Sequence, residues 1–494
     1  MNIKYDKTDP LSIEAYGKKM VGKTFLDIIQ ESSEPYETKQ ELITSYGNKK
    51  RKGGLGNLIE EVYFGYKANS DQSADFLEAG VELKASPYEY VGKGKVKDVR
   101  AGERLVVTMI DYQNPVEDDY FKSHVHEKIN KMLLVYYLRN RNLPSNLDYP
   151  IDYVKLYSPT QADLKIIQDD YKKINDKIKL GKAHELSESD TIYLSACTKG
   201  STAAKSWVPQ YYNPEVKAKK RAYSLKQGFM TQVLKNYLVK DIDTYEPIIK
   251  NPAELNEQTF EGIVQNRIHQ HNGKTDEALC VEFDRVYNND KSLWADLALR
   301  MLGIKSNKAE EFVKANIVVK AVRINENNKI VESSSLPSMP LIELVDEEWE
   351  ESKLYKYFEE TKFLLVVFKK VGDRYVLKGS QFWNMPESKL NTVVKDGWEQ
   401  IRKVVKEGIV FTPSQQSNGI VIKNNLPKKG ANEVIHLRPH TSKSYYVFED
   451  GTTHGSGNIN NSEVLPDGRR MTKQSFWINN SFLYSVLEEH LKNE

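Results

Sequence analysis

Short apolar runs alternate with amphipathic stretches along this chain. Residues 105–110 and 364–368 are apolar over the length of a strand, and each predicts a buried central strand. Residues 159–178 and 386–405 set apolar side chains at helical spacing. Each predicts an amphipathic helix with a proline, Pro159 or Pro386, in its first turn and a glycine, Gly181 or Gly408, near its end. Between Val81 and Ser86 the spacing tightens to strict alternation. Glu82, Lys84 and Ser86 then share one face of a strand while Val81, Leu83 and Ala85 share the other. The pattern predicts an α/β (α+β) protein whose mixed central sheets are flanked by helices.

The pattern also repeats. GYKAN at residues 65–69 answers GIKSN at 303–307, VELKA at 81–85 answers IVVKA at 317–321, and KMLLV at 131–135 answers KFLLV at 362–366. Pro159, Tyr171, Ile174, Ile178 and Gly181 recur at identical spacing as Pro386, Trp398, Ile401, Val405 and Gly408. Phe229, Val233 and Leu234 recur as Phe482, Val486 and Leu487. Five collinear blocks with slowly changing offsets predict two tandem copies of one fold, because a period this long is domain duplication and not a solenoid. The segment DTYEPIIKNPAELNEQ, with two prolines among polar residues, marks the boundary. The expected division is 1–245, a linker at 246–258, and 259–494.

Composition narrows the class. A chain of 494 residues is too long for one core, and 39% hydrophobic with 28% charged residues describes a soluble globular protein. No apolar stretch is long enough for a membrane span, and the first thirty residues are charged throughout, which argues against a secretory leader. Two cysteines, Cys197 and Cys280, make no disulfide framework, so a cytoplasmic location is expected. Lys and Arg (71) nearly balance Asp and Glu (69), so a nucleic-acid partner has to be read from local basic clusters, at 49–52, 93–100 and 217–221.

Candidate chemistry centres on SADFLEAGVELKASP. Asp75, turned back by the intervening loop, can stand beside Glu82, and two carboxylates with the Leu83 carbonyl form an oxygen-rich nest suited to Mg2+. Lys84 would orient or help deprotonate a water there, and the cation would offset charge on the pentavalent phosphorane of phosphodiester hydrolysis. Glu60, on a helix with Leu58, Ile59, Val62 and Tyr63 as its apolar face, can reach the same centre. The spacing alone reads more readily as an ion pair on a solvated edge strand. A rival motif, GKKMVGKT at residues 17–24, has Walker-loop spacing. It follows a polar segment interrupted by Pro10, so Thr24 reads better as the cap of the helix TFLDIIQ. The histidine pairs His124/His126 and His269/His271 lack partners at zinc spacing and read as solvent-facing.

The blocks GLGNLIEEVYFG, DFLEAGVELKASP and SHVHEKINKMLLVYY resemble the MutH-like branch of the PD-(D/E)xK nucleases. With RPHT at 438–441 and MTKQSFWINN at 471–480, the two-copy chain is similar over nearly its whole length to the Sau-three-A type of restriction endonuclease. The resemblance implies two MutH-like folds and cleavage of double-stranded DNA at GATC with Mg2+, leaving 5′-phosphate ends. Asp75, Glu82 and Lys84 fall on its metal-binding and catalytic triad, Glu60 on an auxiliary carboxylate and Lys128 on an accessory lysine. It further implies DNA contacts by Lys199, Tyr223, Ser224 and Lys226 in the first copy, and by Arg438, His440, Lys443, Trp477 and Asn479 in the second. No membrane or obligate protein partner is implied, only a cognate DNA methyltransferase in the same system, with the chain monomeric in the absence of DNA. Ala74 stands where the family name has proline. In the second copy Val318 takes the place of Glu82 and Ala298 that of Glu60, while Lys320 matches Lys84, so that copy is expected to bind without cutting. A strand-nicking repair nuclease and a non-catalytic DNA-binding regulator are the alternatives.

Overall fold

The computed structural model describes residues 5–48, 54–66, 73–92, 98–199, 206–237, 245–288, 290, 292–306, 308–417 and 419–493. The chain forms two compact units, Met1–Phe260 with Lys308–Asn316, and Glu261–Asn307 with Ile317–Glu494. The stretch 246–258, expected as a linker, packs into the first unit. Ile248 and Leu255 are buried there, and the N–H groups of Ile248 and Ile249 donate to the Glu311 carboxylate at 2.8 and 2.9 Å. Polar, proline-broken sequence signals a lapse in periodicity, and here that lapse is a packed turn.

In the first unit the main sheet has the order β2-β1-β4-β5. β1 (Glu82–Val91) runs parallel to β4 (Met132–Leu138), while β2 (Asp98–Ala101) and β5 (Ile151–Tyr157) are antiparallel to β1 and β4 respectively. β4 begins MLLVY, all buried, as expected of a strand covered on both faces. One face is closed by α1 (Pro10–Gly17), α2 (Phe25–Glu31), α3 (Tyr36–Tyr46) and α4 (Gly54–Leu58), whose Ile13, Phe25, Ile29 and Leu58 pack against Leu83, Leu133 and Val135. Thr24 caps α2 in a reciprocal box with Asp27, so the Walker-like spacing is a helix start preceded by helical turns over Pro10–Gly17 and Lys18–Met20.

A second sheet, β3-β9-β6, joins β3 (Leu105–Met109), β6 (Leu194–Thr198) and β9 (Arg221–Leu225). β3 lies at its edge, alternating between buried and half-buried positions up to an exposed Met109, which corrects the expected central strand at 105–110. An apolar run reports burial but not which strand sits in the middle. α6 (Gln161–Lys179) is capped by Thr160, so Pro159 precedes the helix instead of occupying its first turn. Buried Asp170 on α6 accepts the N–H groups of Ile192, Tyr193 and Leu194 at 2.7, 2.6 and 2.9 Å, docking the helix to the start of β6. α7 (Gln227–Tyr237) follows β9.

The second unit repeats the plan. β10 (Ile317–Ile324) is parallel to β12 (Lys362–Val371), which is antiparallel to β13 (Arg374–Trp383). The registers match residue for residue. Glu82 and Lys84 stand opposite Met132 and Leu134, and Val318 and Lys320 stand opposite Phe363 and Leu365, as the sequence blocks align them. A small sheet ordered β11-β21-β16, from β11 (Ser334–Ser335), β16 (Ile435–Pro439) and β21 (Gln474–Ile478), parallels β3-β9-β6. The hairpin of β14 (Phe411–Gln416) and β15 (Gly419–Asn424) is separate, and four short strands, β17 (Tyr446–Val447), β18 (Thr453–His454), β19 (Ser462–Val464) and β20 (Arg470–Thr472), pair in the order β18-β17-β20-β19. Among the described residues no helix is long and apolar enough to cross a membrane.

Candidate active site

The loop before β1 closes tightly. Phe76 and Val81 exchange backbone hydrogen bonds at 2.9 and 3.2 Å around a single turn, Leu77–Ala79, that Gly80 ends in the left-handed region at φ +60°. This turn folds Asp75 back over the first residues of β1. The Asp75 carboxylate accepts the Leu83 N–H at 2.8 Å, and the Asp75 N–H donates to Glu82 Oε2 at 3.3 Å. Glu82 is 1% exposed, so the solvated edge-strand reading of this face is excluded.

Two lysines converge on the same carboxylate oxygen. Lys84 Nζ lies 2.5 Å and Lys128 Nζ 3.0 Å from Glu82 Oε1. Lys128 is brought there by α5 (His124–Ile129), which Ser123 caps. The preceding residue on α5, Glu127, accepts the Ala74 N–H at 3.1 Å. A proline at 74 would have no N–H to offer, so the departure from the family name is matched by a carboxylate that uses the freed donor. α5 thus grips the site at two points, Glu82 through Lys128 and the Asp75 loop through Glu127. Replacing Glu127 by Ala is expected to lower the single-turnover cleavage rate about 10-fold with DNA affinity unchanged, by loosening Asp75. Glu127→Gln, which keeps an acceptor, should restore most of the rate, and equal losses in both variants would show that the contact does not position Asp75.

Burial and neighbouring charge shift the carboxyls of the site. Burial, and then the nearby Glu82 charge, push the Asp75 carboxyl up to about 6. Burial, and then Asp75, push Glu60 up to about 7. Glu60 sits in a π-helical turn, Ile59–Phe64, that continues α4, near enough to feel the Asp75, Lys84 and Glu82 charges, while Glu61 accepts from the Tyr46 hydroxyl at 2.5 Å. Tyr66, just past this turn, buries its hydroxyl with no hydrogen-bond partner among the described residues, and burial followed by the Asp75 and Glu60 charges raises its pKa. Sequence reasoning missed Glu127 and Tyr66. A carboxylate next to the expected lysine on α5 was the available signal for the first.

The expected DNA contacts divide. Tyr223, Ser224 and Lys226, expected as DNA contacts, are buried. The Tyr223 hydroxyl donates to Asn175 at 2.5 Å, Ser224 pairs with Ser195 at 3.0 Å, and Lys226 donates to the carbonyls of Thr191 and Ala315. β9 is the middle strand of its sheet, so Ser224 is satisfied across to β6 and Tyr223 against α6. Asn479 is likewise buried, bridging His436 and the carbonyls of Asn432 and Glu433. Lys199 is half-buried just beyond β6. Arg438, His440 and Lys443 are exposed, with the Arg438 guanidinium 4.5 Å from the centroid of the half-buried Trp477 ring and the His440 ring 5.9 Å from it. The basic cluster 49–52 and residues 93–97 lie outside the described residues. His126, His269 and His271 are half-buried instead of solvent-facing, and His269 accepts the Ser380 N–H at 2.9 Å.

Residues 64–170 match the family model of the DNA mismatch repair enzyme MutH, a span that includes Asp75, Glu82, Lys84 and Lys128. Fold and site together define a MutH-like endonuclease. The type II restriction enzyme Sau3AI of Staphylococcus aureus is 35% identical over 468 residues, 90% of this chain and 94% of that protein. The chain belongs to the Sau3AI family of type II restriction endonucleases. MutH proteins of Vibrio campbellii and Escherichia coli are 27% and 24% identical over 38% and 40% of this chain, and over 81% and 83% of their own lengths.

Proposed function

We propose that the first unit hydrolyses phosphodiester bonds of double-stranded DNA at GATC with Mg2+ held by Asp75 and Glu82, leaving 5′-phosphate ends. The second unit holds another duplex without cutting. The observation that carries this reading is the convergence of Asp75, Lys84 and Lys128 on Glu82, at a register position that Val318 fills in the second unit. Cytoplasmic action beside a cognate methyltransferase follows from the same reading.

The donor set fits Mg2+, a hard ion commonly held by one or two carboxylates together with waters and substrate phosphate. Among the described residues no third His, Cys, Asp or Glu completes a protein cage. Burial raises the Asp75 and Glu60 carboxyls, and a cation bound beside them would favour their ionised forms. When bound, Mg2+ would supply charge compensation for the phosphoryl oxygens. Lys84 would orient the attacking water and help remove its proton. Lys128 would offset charge on the phosphate, and Glu60, with a carboxyl at about 7, can hold or release a proton near neutral pH.

Digestion of unmethylated plasmid with Mg2+, against an EDTA control and with the product ends mapped, tests the proposal. Double-strand fragments ending at GATC are expected. Nicks alone would favour a repair-type nuclease, and DNA retention without cutting would favour a regulator.

A further inference from the structure

The basic cluster at 217–221 lies on a feature that the site does not use. β7 (Trp207–Val208) pairs with β8 (Ala218–Lys219) in an antiparallel hairpin, with Trp207 directly opposite Lys219. Its base is firmly held. Buried Gln210 donates to the Val216 carbonyl at 2.7 Å and accepts the Ala183 N–H at 3.0 Å, and Asn213 donates to the Gly181 carbonyl at 3.0 Å. The Tyr211 N–H reaches the Tyr112 carbonyl at 2.7 Å, and the Lys199 N–H reaches the Lys220 carbonyl at 2.8 Å.

On this rigid support the outward face is aromatic and cationic. Trp207 is 44% and Tyr211 55% exposed, and the Lys219 ammonium stands 5.7 Å from the Trp207 ring centroid. Strand alternation sends Ala218 inward, where it is fully buried, and sets Lys217 and Lys219 on the opposite face. Between Ser206 and Lys220 there are three lysines and a single carboxylate, Glu215. A large ring held in water on a pinned loop wastes apolar surface unless something covers it. Lysines beside it select a polyanion, and a flat ring flanked by ammonium groups suits a sugar-phosphate backbone better than it suits base edges.

We propose that this hairpin is a sequence-independent clamp on the DNA backbone, with Trp207 packing on a sugar while Lys217 and Lys219 neutralise phosphates. The clamp rests on the endonuclease reading above. It reassigns the first unit's DNA contacts from buried Tyr223, Ser224 and Lys226 to an exposed surface.

The test is fluorescence anisotropy of the full-length protein in EDTA, on unmethylated duplexes with and without GATC, across a salt series from about 50 to 200 mM. Lys217→Ala/Lys219→Ala should weaken binding to both duplexes by a similar factor. It should flatten the slope of log affinity against log salt by about 1.8, roughly 0.9 for each phosphate that is no longer neutralised. Trp207→Ala should weaken both several-fold, with Trp207→Tyr and Lys219→Arg restoring most of the affinity, and melting curves should match wild type. Unchanged affinity and salt slope in the double variant would overturn the clamp while leaving the endonuclease reading standing. So would a loss confined to the GATC duplex. Failure of the wild-type protein to bind either duplex would overturn the endonuclease reading itself, and the clamp with it.

Discussion

Glu82→Gln is expected to lower single-turnover cleavage of a GATC duplex with Mg2+ by about 10³-fold, while binding of the same duplex in EDTA persists. The buried Glu82 carboxylate accepts from Lys84, from Lys128 and from the Asp75 N–H, so it fixes three of the groups assigned to the chemistry. The amide is almost the same size but carries no charge. It would leave two ammonium groups without their counterion and remove one of the two carboxylates assigned to the cation. Folding should be checked by circular dichroism at the assay temperature, because an uncompensated buried lysine also destabilises. A variant that is folded and cleaves at the wild-type rate would show that Glu82 is structural.

Lys314→Ala is expected to destabilise the first unit by about 3–5 kcal/mol, the usual cost of breaking a buried ion pair from one side. Lys314 is on the short helix Glu310–Ala315, and its ammonium contacts Asp163 at 2.8 Å and Glu310 at 2.9 Å. Asp163 is 5% exposed, so removing the lysine strands a negative charge away from water. For a unit of this size the midpoint of thermal unfolding should fall by roughly 10 °C. The double variant Lys314→Met/Asp163→Leu should recover most of that stability, because apolar groups of similar volume replace a buried pair at little cost. A fall under about 2 °C for Lys314→Ala would mean that this helix does not help hold the unit together.

The catalytic spacing was legible because strand alternation alone decides which side chains share a face. Once residues 82–86 are a strand, Glu82 and Lys84 must point together, and the short turn at Gly80 leaves Asp75 little choice of position. The duplication was legible for a similar reason, since paired blocks carry register with them, as Lys84 opposite Leu134 and Lys320 opposite Leu365 show. Other features were hidden because they depend on packing between distant segments. Nothing local announces that Glu127 meets Ala74, or that residues 308–316 leave the second repeat to pack in the first unit. The polar residues at the end of β9 and just beyond it misled for the opposite reason. Tyr223, Ser224 and Lys226 look like surface chemistry in sequence, yet their partners Asn175, Ser195 and Thr191 satisfy them inside the protein.

The central claim is that one of two sister units cuts. Lys84 and Lys320 occupy equivalent register positions, but Lys84 faces Glu82 whereas Lys320 donates to the Ser335 carbonyl at 2.9 Å. The most direct measurement compares single-turnover cleavage of unmethylated GATC DNA by full-length Lys84→Met and Lys320→Met proteins at saturating enzyme and Mg2+. Lys84→Met should reduce cleavage by about 10³-fold and Lys320→Met should cut at close to the wild-type rate. Equal reductions in the two proteins, or a reduction in Lys320→Met alone, would contradict the account.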